Sequence, residues 1–312
     1  MTDNATNNRR IARNTIFLYI RMVVVMLISL YTTRVLMRVL GITDYGIYNV
    51  VSGFVTMFSF LNTSMAQGTQ RFYNYEGVNG NTERLTLIFN TSCLIQLSLA
   101  ILLALILEFI GIWYMENYMN IPSDRFHAAS WIFHMSVVSM VFVILQVPFS
   151  AAVISHERMD MYALVSIVDA VFKLSIVVAL PYVNNDRLIV YGFLYMSISL
   201  FNLIYYYTYC IIKFEEIRFK RIFDGKLFQE MLSFSGWNIL DTFASMLRGQ
   251  GLNMLLNSFF GPVVNAARGV AEQIGQTLRT LSVNVLSASR PQLISSYAES
   301  NYLRFKNLLY AM

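Results

Sequence analysis

Residues 14–53 read NTIFLYIRMVVVMLISLYTTRVLMRVLGITDYGIYNVVSG. From Thr15 to Leu40 the stretch is apolar and, as a helix, long enough to cross the roughly 30 Å hydrocarbon core of a bilayer. It closes on Arg34, Arg38 and Gly41, and a second apolar run begins at Tyr48. A chain that leaves the bilayer, turns on a glycine and re-enters must satisfy its backbone within each pass, so these are the first two helices of a polytopic membrane protein.

The rest of the chain carries the same pattern. Of its 312 residues 56% are hydrophobic and only 13% charged, against about 25% charged in soluble domains. Further spans are expected at Leu85–Tyr114, Phe126–Ile154, Met161–Tyr182, Leu188–Ile212, Phe234–Phe260 and Val263–Ala288, and the second at Tyr48–Gln67. The one long charged stretch, KFEEIRFKRIFDGKLFQE (residues 213–230), reads as an amphipathic connector along the membrane surface. The expected organisation is an all-α membrane protein. Residues 1–213 form a complete six-helix lobe, 214–230 a cytoplasmic connector, and 231–312 the first helices of an incomplete second lobe. The basic N-terminus leads into a first span that is too long and Arg-interrupted for a cleaved signal peptide.

Charge fixes the expected orientation. Arg9, Arg10, Arg13, Arg71, Arg84 and Arg158 fall on the same side as the connector's Lys213, Arg218, Lys220, Arg221 and Lys226. By the positive-inside rule that side, with the N-terminus, is cytoplasmic. The net charge of +5 is thus a matter of topology, and no nucleic-acid partner is implied. Cys93 and Cys210 lie inside apolar segments and read as packing residues, and His127 and His134 as interface and core residues. Tyr205–Tyr207 and Tyr209 fit an interfacial aromatic belt.

An internal repeat is also legible. A shift of 220 residues carries Gly41 onto Gly261 at a turn between spans, and Arg84 onto Arg304 where the next span begins, without a gap. Two halves of like topology place a substrate path between them.

The opening stretch, the following MFSFLNTSMAQGTQRFYNYEG, and FSGWNILDTFASMLRGQGLNMLLNSFFGPVVNAARGVA at the start of the second half resemble the polysaccharide-biosynthesis or oligosaccharide flippases of the multidrug/oligosaccharidyl-lipid/polysaccharide superfamily. LGITDYGIYNVV is similar to a motif of that family, and the resemblance runs along essentially the whole chain. It implies a MATE-like bundle of two lobes around a cavity that opens alternately to either side. The implied cargo is an undecaprenyl-pyrophosphate-linked oligosaccharide for surface polysaccharide, moved across a bacterial inner membrane. Membrane lipids and polysaccharide-assembly proteins are the implied partners. Against twelve to fourteen helices in that family, the eight spans here leave the second lobe short, as a fragment or a truncated product.

Ionisable side chains within a bilayer are site candidates by default. Asp169 and Lys173 stand one helical turn apart, positioned either to pair or to couple an ion. Span seven carries a polar stripe of Asn238, Asp241, Ser245 and Arg248, and span eight one of Arg268, Glu272, Gln276 and Arg279. Ser52, Thr56, Ser59 and Thr63 form an uncharged version on span two, suited to interhelical hydrogen bonding. A pyrophosphate calls for several arginines, whose guanidinium forks match phosphate oxygens. With the resemblance, this nominates Arg21, Arg248 and Arg279 for binding, with Asp241 and Glu272 orienting them or coupling an ion. No catalytic residue, metal or cofactor is expected. The rivals are a drug or ion antiporter on the same architecture, a membrane glycosyltransferase or polymerase, for which no extramembrane acidic cluster is present, and a non-transporting assembly subunit.

Overall fold

The computed structural model describes residues 2–77, 81–118, 121–220, 224–244, 289–299 and 301–310, with the single positions 275, 279, 283, 286 and 287. All regular structure among them is helical. Helix α1 (Thr2–Thr56) is broken at Gly41, whose φ of 80° and ψ of 172° only glycine adopts without strain. The stretch after the break continues, across a turn at Met57–Phe58, into α2 (Ser59–Gly77) and makes the second pass. The third comprises α3 (Thr82–Ile106), a π-helical turn at Leu107–Gly111, and α4 (Ile112–Tyr118). The fourth is α5 (Phe126–Leu145) followed by α6 (Val147–Ser155), which meet at Gln146. Pro148 lacks the N–H that would continue the ladder there. Helices α7 (Met159–Ala179) and α8 (Arg187–Lys213) follow.

Among the described residues, five stretches are long and apolar enough to cross a membrane: Arg13–Gly41, Thr82–Asn117, Phe126–Ser155, Met159–Tyr182 and Arg187–Lys213. The second pass is not among them, because Ser52, Thr56, Ser59, Asn62 and Thr63 lower its hydropathy. Those same residues line cavities, which is why the polarity is tolerated. Elsewhere the outward surface is apolar, with Leu30, Phe109 and Ile212 at 65%, 76% and 72% exposure. Exposure on this scale suits a bilayer, where lipid covers the apolar side chains.

Helix α1 lies along α7, and α5 packs on α8 and α3. The third pass approaches α5 closely at Gly111, where a Cβ would stand 2.3 Å from Phe133 Cζ. One apolar cluster surrounds Phe133, Leu107, Val51 and Leu188. A second, at the other end, gathers Phe89, Phe149, Tyr206 and Cys210 with Phe214, Ile217, Leu227 and Met231. Residues 214–220 are non-helical and fold back onto that cluster, with Phe214, Glu216 and Ile217 buried. This part of the connector is therefore packed into the bundle. Helix 225–244 follows, capped by the Asp224 carboxylate, which accepts the amides of Lys226 and Leu227.

The repeat has a local structural counterpart. Asn81 Oδ1 accepts the Arg84 amide at 3.1 Å and Asn301 Oδ1 accepts the Arg304 amide at 3.2 Å. Equivalent residues thus cap α3 and the terminal helix Tyr302–Tyr310 in the same way.

Candidate substrate cavity

A cavity of about 420 Å³ lies between α1, α2, the α5–α6 junction, the start of α7 and the residues Val283, Ser287, Arg290 and Pro291. Helix α1 presents Leu18 and Arg21, and α2 supplies Asn62, Thr63, Gln67, Gln70 and Asn74 at helical spacing. Gln146 and Ser150 come from the α5–α6 junction, on either side of Pro148. Tyr162, Ser287 and Arg290 close the remaining wall.

Arg21 stacks over Tyr162, its Cζ 4.6 Å from the ring centroid. Its Nε is buried without a hydrogen-bond partner among the described residues, as are Asn62 Oδ1 and Asn74 Oδ1. Buried polar atoms left unpaired are unusual and mark a place that a polar ligand or water satisfies. The described lining residues include two arginines and no carboxylate.

A second, smaller pocket of about 200 Å³ is lined by α1, α2, α5, α7 and α8 and shares Asn62 with the cavity. Its walls carry Tyr48, Ser52, Thr56, Ser59, Ser136, Tyr195 and Ser199. Asp169 and Lys173 line it as an ion pair of 2.8 Å. Asn202 donates to Asp169 at 2.7 Å, and Lys173 Nζ lies 4.8 Å from the Tyr195 ring centroid. The carboxylate is thus held by a cation and an amide on opposite oxygens, the arrangement an intramembrane charge needs.

Of the residues nominated from sequence, Arg21 lines the cavity, and Asp169 and Lys173 meet in the adjoining pocket. Asp241 and Arg279 are exposed and line neither. Arg248 and Glu272 lie outside the described residues. The stripe on helix 225–244 turns a different edge toward α2: Ser64 Oγ is 3.0 Å from Thr242 Oγ1 and 3.3 Å from the Asn238 carbonyl. Asp241 stands about 100° around from Thr242.

Three features escaped the sequence reading. Arg290 is not among the residues nominated from sequence, yet it joins Arg21 in the cavity. Glu108, within the π-helical turn, pairs with His134 at 2.8 Å. Asp44, in the LGITDYG stretch, receives Arg125 Nε at 2.8 Å, while Arg125 Nη1 reaches Asp186 at 2.6 Å. For Asp186, partial burial would raise the carboxyl pKa, but Arg125 and the amides of Leu188 and Ile189 outweigh it and hold it below 3.8.

The sequence pattern of the polysaccharide biosynthesis protein family matches residues 11–295. In shape, an outward-facing multidrug resistance MATE family transporter of the MOP superfamily superposes at TM-score 0.82 and 12% identity, over 98% of this chain and 68% of that one. A MOP superfamily transporter from Pyrococcus furiosus, described as having a binding pocket of reverse polarity, gives 0.82 and 12% over the same shares. A MATE structure in its bent conformation gives 0.83 and 14% over 98% and 69%. At these identities the likeness is one of fold. No curated protein matches the chain in sequence.

Proposed function

The chain belongs to the polysaccharide biosynthesis protein family and has the fold of a multi-pass membrane transporter, and from that premise we propose that its cargo is an oligosaccharide linked to undecaprenyl pyrophosphate. The observation that carries this reading is the pairing of Arg21 with Arg290 in a cavity whose described lining has no carboxylate. A pyrophosphate accepts hydrogen bonds at every oxygen, and guanidinium groups supply them bidentately. The ring of Asn and Gln amides suits sugar hydroxyls, which both donate and accept. A cationic drug would meet two like charges here, so the antiporter reading fits less well.

In this proposal the two lobes rock about the cavity, the N-terminus is cytoplasmic, and the membrane is the bacterial inner membrane. The Asp169–Lys173 pair orients the neighbouring helices or couples an ion, through the pocket that meets the cavity at Asn62. Arg248, Arg279, Asp241 and Glu272 belong to the second half and enter as secondary candidates.

The test is binding of undecaprenyl pyrophosphate to the purified protein in nanodiscs, with undecaprenol as the uncharged comparison. Arg21→Ala and Arg290→Ala are each expected to weaken binding about tenfold, the loss of a charge-assisted contact. Affinity unchanged in the double variant, or equal affinity for undecaprenol, refutes the assignment.

A further inference from the structure

The two repeat-related arginines do more than start equivalent helices: Arg84 reaches the residue that caps helix 225–244, and Arg304 reaches the first lobe through Gln292. Arg84, on the first turn of α3, lies 3.7 Å from Glu76 and 3.5 Å from Asp224, the residue that caps helix 225–244. Arg304, on the first turn of the terminal helix, donates through Nη2 to Gln292 Oε1 at 3.2 Å. Gln292 Nε2 in turn donates to Glu157 Oε2 at 3.2 Å, in the turn between α6 and α7. Gln292 is 3% exposed, so the relay runs through a dry contact where its hydrogen bonds are hard to replace by water. Glu157 holds φ at 55°, a left-handed conformation that a residue other than glycine keeps only when its surroundings fix it.

The relay is placed directly under the cavity. Ile154 and Met159, on either side of Glu157, line the cavity, as do Arg290 and Pro291 immediately before Gln292. Separating the halves at this end breaks Glu157–Gln292 and strains Arg84–Asp224, because Glu157 and Arg84 belong to the first lobe while Gln292 belongs to the second and Asp224 caps helix 225–244, which leads into it. Sequence duplication supplies the two arginines, and the tertiary fold supplies their different acceptors.

We propose that Glu157–Gln292–Arg304 and Arg84–Asp224 form a two-point latch that closes the interlobe cavity at the end carrying the α6–α7 turn. The inference rests on reading that cavity as the cargo site, since a latch beneath it sets the side from which cargo enters or leaves. Opening that end requires exchanging these contacts for water, so weakening them shifts the resting population toward the state open on this side.

The experiment uses Ser150→Cys, which places a thiol on the cavity wall, with the parent protein and its two native cysteines setting the background. A membrane-impermeant maleimide is added to right-side-out and to inverted vesicles. Glu157→Ala and Arg304→Ala are each expected to raise labelling from the α6–α7 side about tenfold, as loss of a hydrogen bond to a charged group would. Arg84→Ala combined with Arg304→Ala should raise it further, while Glu157→Gln, which keeps an acceptor, should stay within about twofold of the Ser150→Cys protein. Labelling unchanged in Glu157→Ala and Arg304→Ala overturns the latch, as does an equal rise from both sides, which reports general loosening. Undecaprenyl pyrophosphate binding is measured separately on the same proteins. If the latch variants open the cavity but the wild-type protein binds no undecaprenyl pyrophosphate, the latch stands and the cargo assignment falls. If binding holds but labelling does not move, the latch falls alone.

Discussion

Replacing Arg125 by Ala isolates the ion cluster that ties the stretch after Gly41 to the starts of α5 and α8. Arg125 engages both oxygens of Asp44, with Nε at 2.8 Å from one, and both oxygens of Asp186, at 2.6 and 3.2 Å. The three side chains are 24%, 19% and 30% exposed, so the cluster lies between a surface pair and a buried one. Exposed pairs contribute about 0.2–1 kcal/mol, and removing one partner of a buried pair costs about 3–5 kcal/mol. The intermediate burial places Arg125→Ala at about 2–3 kcal/mol. Asp186 also accepts the amides of Leu188 and Ile189 as the cap of α8, which adds about 0.5–2 kcal/mol to Asp186→Ala. Asp44 has no such second role, so Asp44→Ala should be the mildest of the three. The assay is thermal and denaturant unfolding in detergent followed by tryptophan fluorescence, with Trp131 on the same helix as reporter and Arg38→Ala, an exposed arginine, as control. If Arg125→Ala unfolds with Arg38→Ala, or if Asp44→Ala is worse than Asp186→Ala, the reasoning is refuted.

Gly41→Ala forces a Cβ into a backbone conformation at φ 80° that meets no neighbour within 4 Å, so the penalty is purely conformational, about 1–3 kcal/mol. It is checked by the unfolding midpoint. Lys173→Met should destabilise the protein more than Asp169→Asn with Lys173→Met together, because the single change leaves the Asp169 carboxylate without its cation. Equal midpoints for the two would contradict that. His156, stacked on Phe214 with ring centroids 4.1 Å apart, ion-pairs with buried Glu216 at 3.0 Å. Burial alone would lower the His156 pKa, but Glu216 and the Ala152 carbonyl outweigh it and raise it above 6.5, while for Glu216 burial is outweighed by His156 and the carboxyl falls below 4.5. The raised histidine contributes stability below 6.5 that fades as pH climbs through its folded value, and the lowered glutamate contributes above 4.5. Protection of residues 214–217 from hydrogen exchange, referred to the intrinsic rate at each pH, should therefore peak between those limits and decline on the alkaline side. His156→Phe should flatten the profile, and an unchanged profile in that variant would exclude the pair as its cause.

The LGITDYG stretch shows how far sequence carried. The break at Gly41 was legible because a glycine between two apolar runs is a local signal, and the structure puts non-helical angles there. Asp44 in the same motif was read only as part of a resemblance, since its partner Arg125 lies across the bundle. On span seven, a spacing of three and four residues allowed two neighbouring faces, and packing against Ser64 selected Asn238 and Thr242 and left Asp241 outside.

What the sequence determined by itself is whatever depends on near neighbours along the chain. That covers the apolar lengths that become membrane passes, the glycine turn, and the Asp169–Lys173 pair one helical turn apart, because a helix fixes which residues share a face. What only the tertiary structure decided is which distant residues meet. Arg290 comes to line a cavity with Arg21, Glu108 meets His134, and Glu157 is reached by Gln292. The helices that bring these residues together pack through apolar faces, and those faces carry little information about which polar side chains will end up opposite one another.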